Sequence, residues 1–524
     1  MTRDAAAVGA GLAPARPARQ IAPGERIHVV GAAGAGASAA ALLAHHAGGE
    51  ASGCDPGGPS PYTPPLEEAG IPLAWVHDAS HVTRVPPPAR LAVTKALTAI
   101  APDHPELVAA RHAGIPVEPW QQVVADAAAG RTLVGVAGTH GKSTSAGWLV
   151  HVLASAGADP SAFVGALLPA ALTGGIPATA RWGSGEAFVV EADEYAGNFD
   201  AYRPAVALIT SAEWDHPDVF PDRAAVVAAF ESWIRRAAAN GGGEGGRILV
   251  VNVADAGAAE VAARLSDWPG RIVATALVDQ APQRLGGYAR GIAEQYVTAA
   301  GPATTLFGRI TVADAAGTSL ELHGLDPLAG PLVARLPTAG QHNAANALGV
   351  AATALALGIP PALIVAGLAS FPGVGRRLER KGEAAGVVVY DDYGHHPTAI
   401  RETIGAIRQR EPGRRVWAVY EPLTYHRTAA FLDDFADALA TADAVAVADI
   451  WAGRDPDTTI ASADGLARAV ASRRPDMPVS APGSVEATAD WLAGEVRPGD
   501  AVLVMGGGRS YRIGERLLEL LADR

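Results

Sequence analysis

The sequence predicts an α/β protein built from three domains, each organised on a largely parallel sheet. Three observations carry this. Short apolar runs alternate with helically spaced ones along nearly the whole chain. A glycine-bearing loop at residues 138–144 separates one such strand from the helix that follows it. At 524 residues the chain exceeds what one hydrophobic core organises.

Composition narrows the classes. With 60 Gly and 39 Pro the chain is loop-rich, and 41 Lys+Arg against 54 Asp+Glu give a net charge of −13. There is no global basic footprint for nucleic acid or an anionic membrane, so positive charge must be concentrated locally. Cys54 is the single cysteine, which excludes an intramolecular disulfide and a cysteine metal cluster and fits a reducing cytoplasm. Residues 1–24 are rich in Ala, Pro and Arg without the apolar centre of a signal peptide, so they read as a disordered leader. The longest apolar stretch, residues 350–369, is broken by Pro360-Pro361 and reads as two core helices rather than a membrane span.

The first domain, residues 25–129, is expected to be Rossmann-like. A strand at 26–30 runs into a turn carrying Gly31, Gly34 and Gly36, then a small-residue helix at 37–46 and a second strand ending at Asp55. This resembles a nucleotide-binding βαβ unit in which Asp55 takes a ribose hydroxyl. The glycines are not in G-x-G-x-x-G order, so a nucleotide of some kind is favoured over a dinucleotide. Tight strand-to-helix packing is the plainer alternative.

The second domain, residues 130–372, is expected to be a phosphate-loop ATPase domain. After the buried strand at 132–137 come Gly138, Thr139, His140, Gly141, Lys142, Ser143 and Thr144, then a helix. The glycines let backbone N–H groups converge on an anion, and the helix N-terminus adds partial positive charge. Lys142 would reach the outer phosphates, and a hydroxyl of Ser143 or Thr144 would hold Mg2+. The next strands end in Glu191-Ala192-Asp193-Glu194 and in Glu213-Trp214-Asp215-His216. Parallel strands deliver their C-terminal residues to one edge, so Ser143, Glu191 and His216 are the expected metal ligands. Asp193 and Glu194 read as helix caps and Glu213 as solvated. Residues 238–247 form a glycine-rich loop, and 248–334 read as sheet edge with surface hairpins. His342, Asn343 and Asn346 share a helical turn and could face a base. The third domain, residues 373–524, begins at a hinge, Gly373-Val374-Gly375, and is expected to be doubly wound. Its polar groups again collect at strand C-termini, among them Asp392, Tyr393, His395, Tyr425 and Arg427.

The order GTHGKST, VEADEY, D-H, GQHNAANA, GVGRRLE, YDDYGHHPTAI and a terminal GGG resembles the Mur ligases over nearly the whole chain from about residue 26. The resemblance implies an enzyme with one domain for a UDP-sugar, one for ATP and one for an incoming amino acid. It implies that ATP phosphorylates the carboxylate of UDP-N-acetylmuramate and that an amine displaces the phosphate, forming an amide in peptidoglycan precursor synthesis. By motif, Lys142 matches the phosphate lysine, Ser143 and Glu191 a first Mg2+ site, and Glu191 with His216 a second. Asn343 and Asn346 match the adenine side, and Arg377, Asp392 and His395 match groups that close over ATP and substrate. Gly34, Gly36 and Asp55, with Tyr393, Tyr425 and Arg427, are the expected substrate contacts.

Two departures bear on the branch. No lysine lies between His216 and Arg247, where many Mur ligases carry a carbamylated one, and this favours the alanine-adding branch. After Glu421-Pro422 the expected H-R-Y-T-R is replaced by Leu423-Thr424-Tyr425-His426-Arg427, which leaves the identity of the amino acid open. Residues 213–220 resemble the tripeptide-adding branch, the alternative, whereas residues 425–435 resemble the alanine-adding one. Two other readings stay open: an ATPase or kinase with an appended sheet, and a nucleotide-binding relative with altered specificity. The partners expected are small molecules, with neither nucleic acid nor membrane, for a monomer or homodimer in the cytoplasm.

Overall fold

Three sheets stand in chain order along the molecule. The computed structural model describes residues 8–236, 246–279, 282–326, 330–453, 455 and 457–523. Strands β1 Arg26–Val30, β2 Glu50–Cys54, β3 Leu73–Ala74, β4 Arg90–Val93 and β5 Val117–Pro119 form an all-parallel sheet of order β3-β2-β1-β4-β5. The helix Ala35–His46 buries eight consecutive residues, 37–44. It lies between its own sheet and the central unit, where Ser38 Oγ is 3.2 Å from Thr179 Oγ1. A helix covered on both sides needs small side chains, which accounts for the run of alanines after the glycine turn.

The segment before β1 is packed, not disordered, over its described part. Val8 and Ile21 are buried, and Arg16 pairs with Glu118 at 2.9 Å and Asp126 at 2.7 Å. The composition of these residues lacks periodicity, but Arg16 supplies a cation to two carboxylates that are otherwise buried beside Arg90. Residues 1–7 of the expected leader lie outside the described residues.

The central sheet contains β6 Thr132–Ala137, β7 Ser161–Leu168, β8 Ala178–Arg181, β9 Ala187–Ala192, β10 Val206–Ile209, β11 Ile248–Asn252 and β12 Arg271–Leu277. After a small hairpin, β13 Val297–Thr298 and β14 Gly301–Pro302, it is completed by β15 Thr304–Asp314, β16 Gly317–His323 and β17 Leu332–Leu336. The order is β17-β16-β15-β12-β11-β10-β6-β9-β7-β8, parallel from β15 to β7 and antiparallel at both ends. Strand β6 lies between β9 and β10, so the three strand ends named from sequence are neighbours at one crevice. Most of the expected loop at 238–247 lies outside the described residues.

The third sheet, β18 Glu379–Ala384, β19 Val387–Asp392, β20 Arg415–Glu421, β21 Ala444–Ala448, β22 Val479–Gly483 and β23 Asp500–Gly506, has the order β18-β19-β23-β20-β21-β22. It is parallel except for β18 on β19, with helices on both faces as an α/β doubly wound unit requires. Among the described residues no helix is long and apolar enough to cross a membrane.

Candidate active site

The phosphate loop is bent by two glycines that no other residue could replace without displacement. Gly138 has φ +138 and Gly141 φ +78; a Cβ on the first would strike the end of β10, and one on the second the Asn346 amide. Gly141 caps the helix Lys142–Ser155, so the loop turns directly into a helix N-terminus. The Lys142 ammonium donates to the Gly138 carbonyl at 2.6 Å and to Glu194 Oε2 at 3.0 Å. Burial penalises that charge, but Glu194, Asp193 and Glu191 outweigh it and hold the Lys142 pKa above its ordinary value. The Ser143 hydroxyl donates to Glu191 Oε1 at 2.8 Å, and Glu191 Oε2 accepts from Gly165 N–H at 2.6 Å.

The residues expected to ligate a metal stand in two groups rather than one. Glu191 stands with Ser143, whereas His216 stands with Asp193 and Glu194, whose ligand atoms all lie within 4.8 Å of one another. The Glu194 side chain does not cap its helix: its carboxylate is buried, with Oε2 on Lys142 and Oε1 free of hydrogen bonds, 3.7 Å from His216 Nε2. Glu213 is not simply solvated either, since it accepts from Thr398 Oγ1 at 2.7 Å and lies 3.3 Å from His140. Burial raises its pKa, but His140, Thr398 and His396 bring it down to about 2.

The C-terminal unit closes the cleft with cations. Arg377 donates to Ser143 Oγ at 2.8 Å from a segment in which Gly373, Arg376 and Leu378 all have left-handed φ. Arg427, fully buried, donates to Asp215 Oδ1 through Nε at 2.9 Å and Nη2 at 2.8 Å, and to His216 Nδ1 at 3.2 Å. Asp215 is held well below the usual carboxylate range despite its burial, by Arg427 and the surrounding histidines. His395 sits 4.0 Å from Asp215, and burial with the Arg427 charge keeps it neutral; its Nδ1–H donates to the Tyr393 carbonyl at 3.0 Å.

Several expected contacts have structural employment instead. Both Asp392 oxygens accept backbone N–H groups, from Leu378 and Gly394 at 2.7 Å each, so this carboxylate fixes the crossing segment. Asp55 accepts from Ala33 and Gly57 N–H and thus shapes the glycine turn. Gly36 gives room to the Trp120 ring, and neither Gly34, Asp55 nor Tyr425 lines the cleft. Asn343 donates to the Ala339 carbonyl at 2.7 Å, and Asn346 packs on Gly141; both line the cleft. Tyr393 lies beneath Arg377, with its ring centroid 5.0 Å from the guanidinium carbon.

One cleft of 1890 Å³ is lined by all three units, from Ser60, Tyr62 and Trp120 through the phosphate loop to Leu423, Trp451 and Gly508. Sequence reasoning assigned Glu194 to a helix cap and Glu213 to solvent, and passed over His396, Arg376 and Trp451. The acidic run ending β9 was the one available signal for Glu194.

Three α/β units meeting on a phosphate-loop cleft match three consecutive family models. They are Mur ligase family, catalytic domain, over residues 26–132; Mur ligase middle domain over 136–354; and Mur ligase, glutamate ligase domain, over 376–508. The chain belongs to the Mur ligase family, whose members are ATP-dependent ligases. It is 37% identical to the UDP-N-acetylmuramate--L-alanine ligase of Frankia casuarinae, covering 95% of this chain and 98% of that one. The enzyme of the same name from Mycobacterium avium is 36% identical, over 95% and 96%. Among solved structures, the UDP-N-acetylmuramate-alanine ligase of Thermotoga maritima superposes with a TM-score of 0.71 at 22% identity, over 94% of this chain and 98% of that one. A murein peptide ligase from Psychrobacter arcticus superposes at 0.68 and 23% identity, over 96% and 99%.

Proposed function

We propose that the cleft joins L-alanine to the carboxylate of UDP-N-acetylmuramate with consumption of ATP, a step of peptidoglycan precursor synthesis. The observation that carries the reading is 37% identity along 95% of the chain to an enzyme named for that reaction, in a chain with a phosphate loop facing a three-unit cleft. A carboxylate has no leaving group that an amine can displace at neutral pH. Its oxygen therefore attacks the γ-phosphorus and ADP departs; the amine nitrogen then attacks the acyl carbon and phosphate departs.

The residues divide this work. The phosphate-loop N–H groups and Lys142 cradle the transferring phosphate, and Arg377 adds charge from the opposite side. Asn343 and Asn346 border the adenine end. The donor set fits Mg2+: Ser143 with Glu191, and Asp193 with Glu194, would supply hard oxygen ligands, and the buried Glu194 Oε1 makes no hydrogen bond among the described residues and has His216 Nε2 at 3.7 Å. When bound there, Mg2+ supplies charge neutralisation to the phosphates. Arg427 orders Asp215 and His216 between the central and C-terminal units, and Asp392 acts as a positioning residue for the crossing segment. Tyr393 and Arg427 border the amino-acid end.

A second reading, in which a tripeptide replaces alanine, is favoured by one observation: apolar Leu423 and half-exposed Trp451 line the cleft where polar contacts were expected. Phosphate release with ATP, Mg2+ and UDP-N-acetylmuramate separates the two. Release dependent on L-alanine supports the first, release dependent only on L-Ala-γ-D-Glu-meso-diaminopimelate supports the second, and release with neither refutes both.

A further inference from the structure

Outside the cleft lining, the N-terminal unit concentrates four histidines, the single cysteine and one glutamate on and against one face of β1 and β2. His28 on β1 is registered opposite Ser52 on β2, and Cys54 follows two residues on, so all three side chains fall on one sheet face. Glu106 and His104 come from the start of the helix Pro105–Ala113, His81 from the short helix Ser80–Thr83, and His77 from the loop before it. Cys54 and Glu106 are fully buried, and His28 is 2% exposed.

In this cluster the Glu106 carboxylate is met, among the described residues, only by imidazoles, the Cys54 thiol and a backbone N–H. Among the described residues every charged partner of the Glu106 carboxylate is a histidine: His28 at 3.6 Å, His77 at 3.7 Å, His81 at 2.5 Å and His104 at 3.8 Å. Among the described residues no Lys or Arg lies within 4 Å of it, so its charge is offset only by imidazoles and neutral donors. His28 Nδ1 is tied to Ser52 Oγ at 2.9 Å, which orients the ring, while its Nε2 is buried, makes no hydrogen bond and lies 3.6 Å from Glu106 Oε1. Metal-binding histidines are characteristically held this way through the second ring nitrogen. Both nitrogens of His104 are likewise buried and make no hydrogen bond among the described residues. Cys54 Sγ lies 3.1 Å from Glu106 Oε1 and 3.2 Å from His77 Nδ1.

We propose that His28 Nε2, Cys54 Sγ, His81 Nδ1 and a Glu106 carboxylate oxygen form a four-coordinate zinc site in the N-terminal unit. One donor atom from each of these residues already lies within 4.8 Å of the other three, and tetrahedral zinc needs separations of about 3.5 Å. A thiolate with two imidazoles selects zinc over Mg2+ or Ca2+. Thiolate and carboxylate together neutralise the ion's two charges, which suits burial. Binding releases the Cys54 proton to solvent, and the partly exposed His81 marks the way in. The ion pins two helices to β1 and β2, so its role is structural and separate from the ligase cleft.

Because Cys54 is the only cysteine, any metal–thiolate signal from the full-length, tag-free protein reports this site. Elemental analysis of protein produced with zinc supplied is expected to find one zinc per chain. Cobalt replacement is expected to give tetrahedral visible bands and a near-ultraviolet thiolate-to-cobalt band. Cys54→Ser should abolish the thiolate band and Glu106→Gln should lower zinc retention, whereas His140→Ala, in the cleft, should leave both unchanged. Absence of stoichiometric zinc and of the cobalt–thiolate band in the wild-type protein overturns the proposal, whether or not the variants fold. Zinc lost in His140→Ala but kept in Cys54→Ser overturns it as well.

Discussion

Arg427→Met removes the cation that joins the C-terminal unit to the end of β10. Arg427 and Asp215 are 5% and 3% exposed at their side chains, and Arg427 donates twice to one carboxylate oxygen. Deleting one partner of such a pair strands the other in a medium that solvates it poorly, a loss of about 3–5 kcal/mol. Methionine keeps most of the side-chain volume, so cavity formation adds little. The Asp215 carboxylate keeps only its local acceptance from His216 N–H and the neighbouring imidazoles. A chain of three units does not unfold in one step, so the quantity to measure is local opening of the helix Tyr425–Ala430 by native-state hydrogen exchange. Opening should become easier by about 3 kcal/mol, and Asp215→Asn combined with Arg427→Met should recover at least half of that. Protection reduced by less than about 1 kcal/mol would mean the pair is solvated in solution and does not lock the units.

Other substitutions probe the loop and the histidines. Lys142→Ala should lower kcat by roughly 10²–10³, the usual effect of deleting one electrostatic donor to a developing anion, with the far-ultraviolet spectrum unchanged. Steady-state phosphate release checks it. Gly141→Ala forces φ +78 on a residue with a Cβ that meets Asn346, and should destabilise the loop by about 1–3 kcal/mol. Weaker ATP binding by calorimetry is the readout. Burial, aided by His140, lowers the His396 pKa from 6.5 to about 4. The unfolded chain therefore binds this proton first, so the contribution is complete above about pH 6.5 and is lost as pH falls toward 4. The loss is on the order of 3 kcal/mol. Melting between pH 7 and 4 should show it, and His396→Gln should flatten the slope; an unchanged slope would remove His396 as its source.

The phosphate loop and the three-sheet plan were legible because they are local. A glycine with positive φ, a strand of continuous apolar residues and a helix start all leave marks within ten residues of sequence. The acidic end of β9 was legible as a place but not as a division of labour, since nothing local says that Glu191 faces Ser143 while Glu194 faces Lys142 and His216. Asp392 and Asp55 looked like ligand contacts because carboxylates at strand ends often are. Only the folded backbone reveals that N–H groups of Leu378, Gly394, Ala33 and Gly57 already use them.

The sequence alone determined the class of protein: motif order is one-dimensional information, and the family's motifs are contiguous. Tertiary structure alone decided which charges meet. Arg16 finds Asp126 across 110 positions, Arg427 finds Asp215 across 212, and four histidines, Cys54 and Glu106 are gathered from separate stretches at 28, 54, 77–81 and 104–106. Such pairings depend on loop closure and sheet order, and a buried ion selects its partner from whatever the fold brings within about 4 Å, at any distance along the chain.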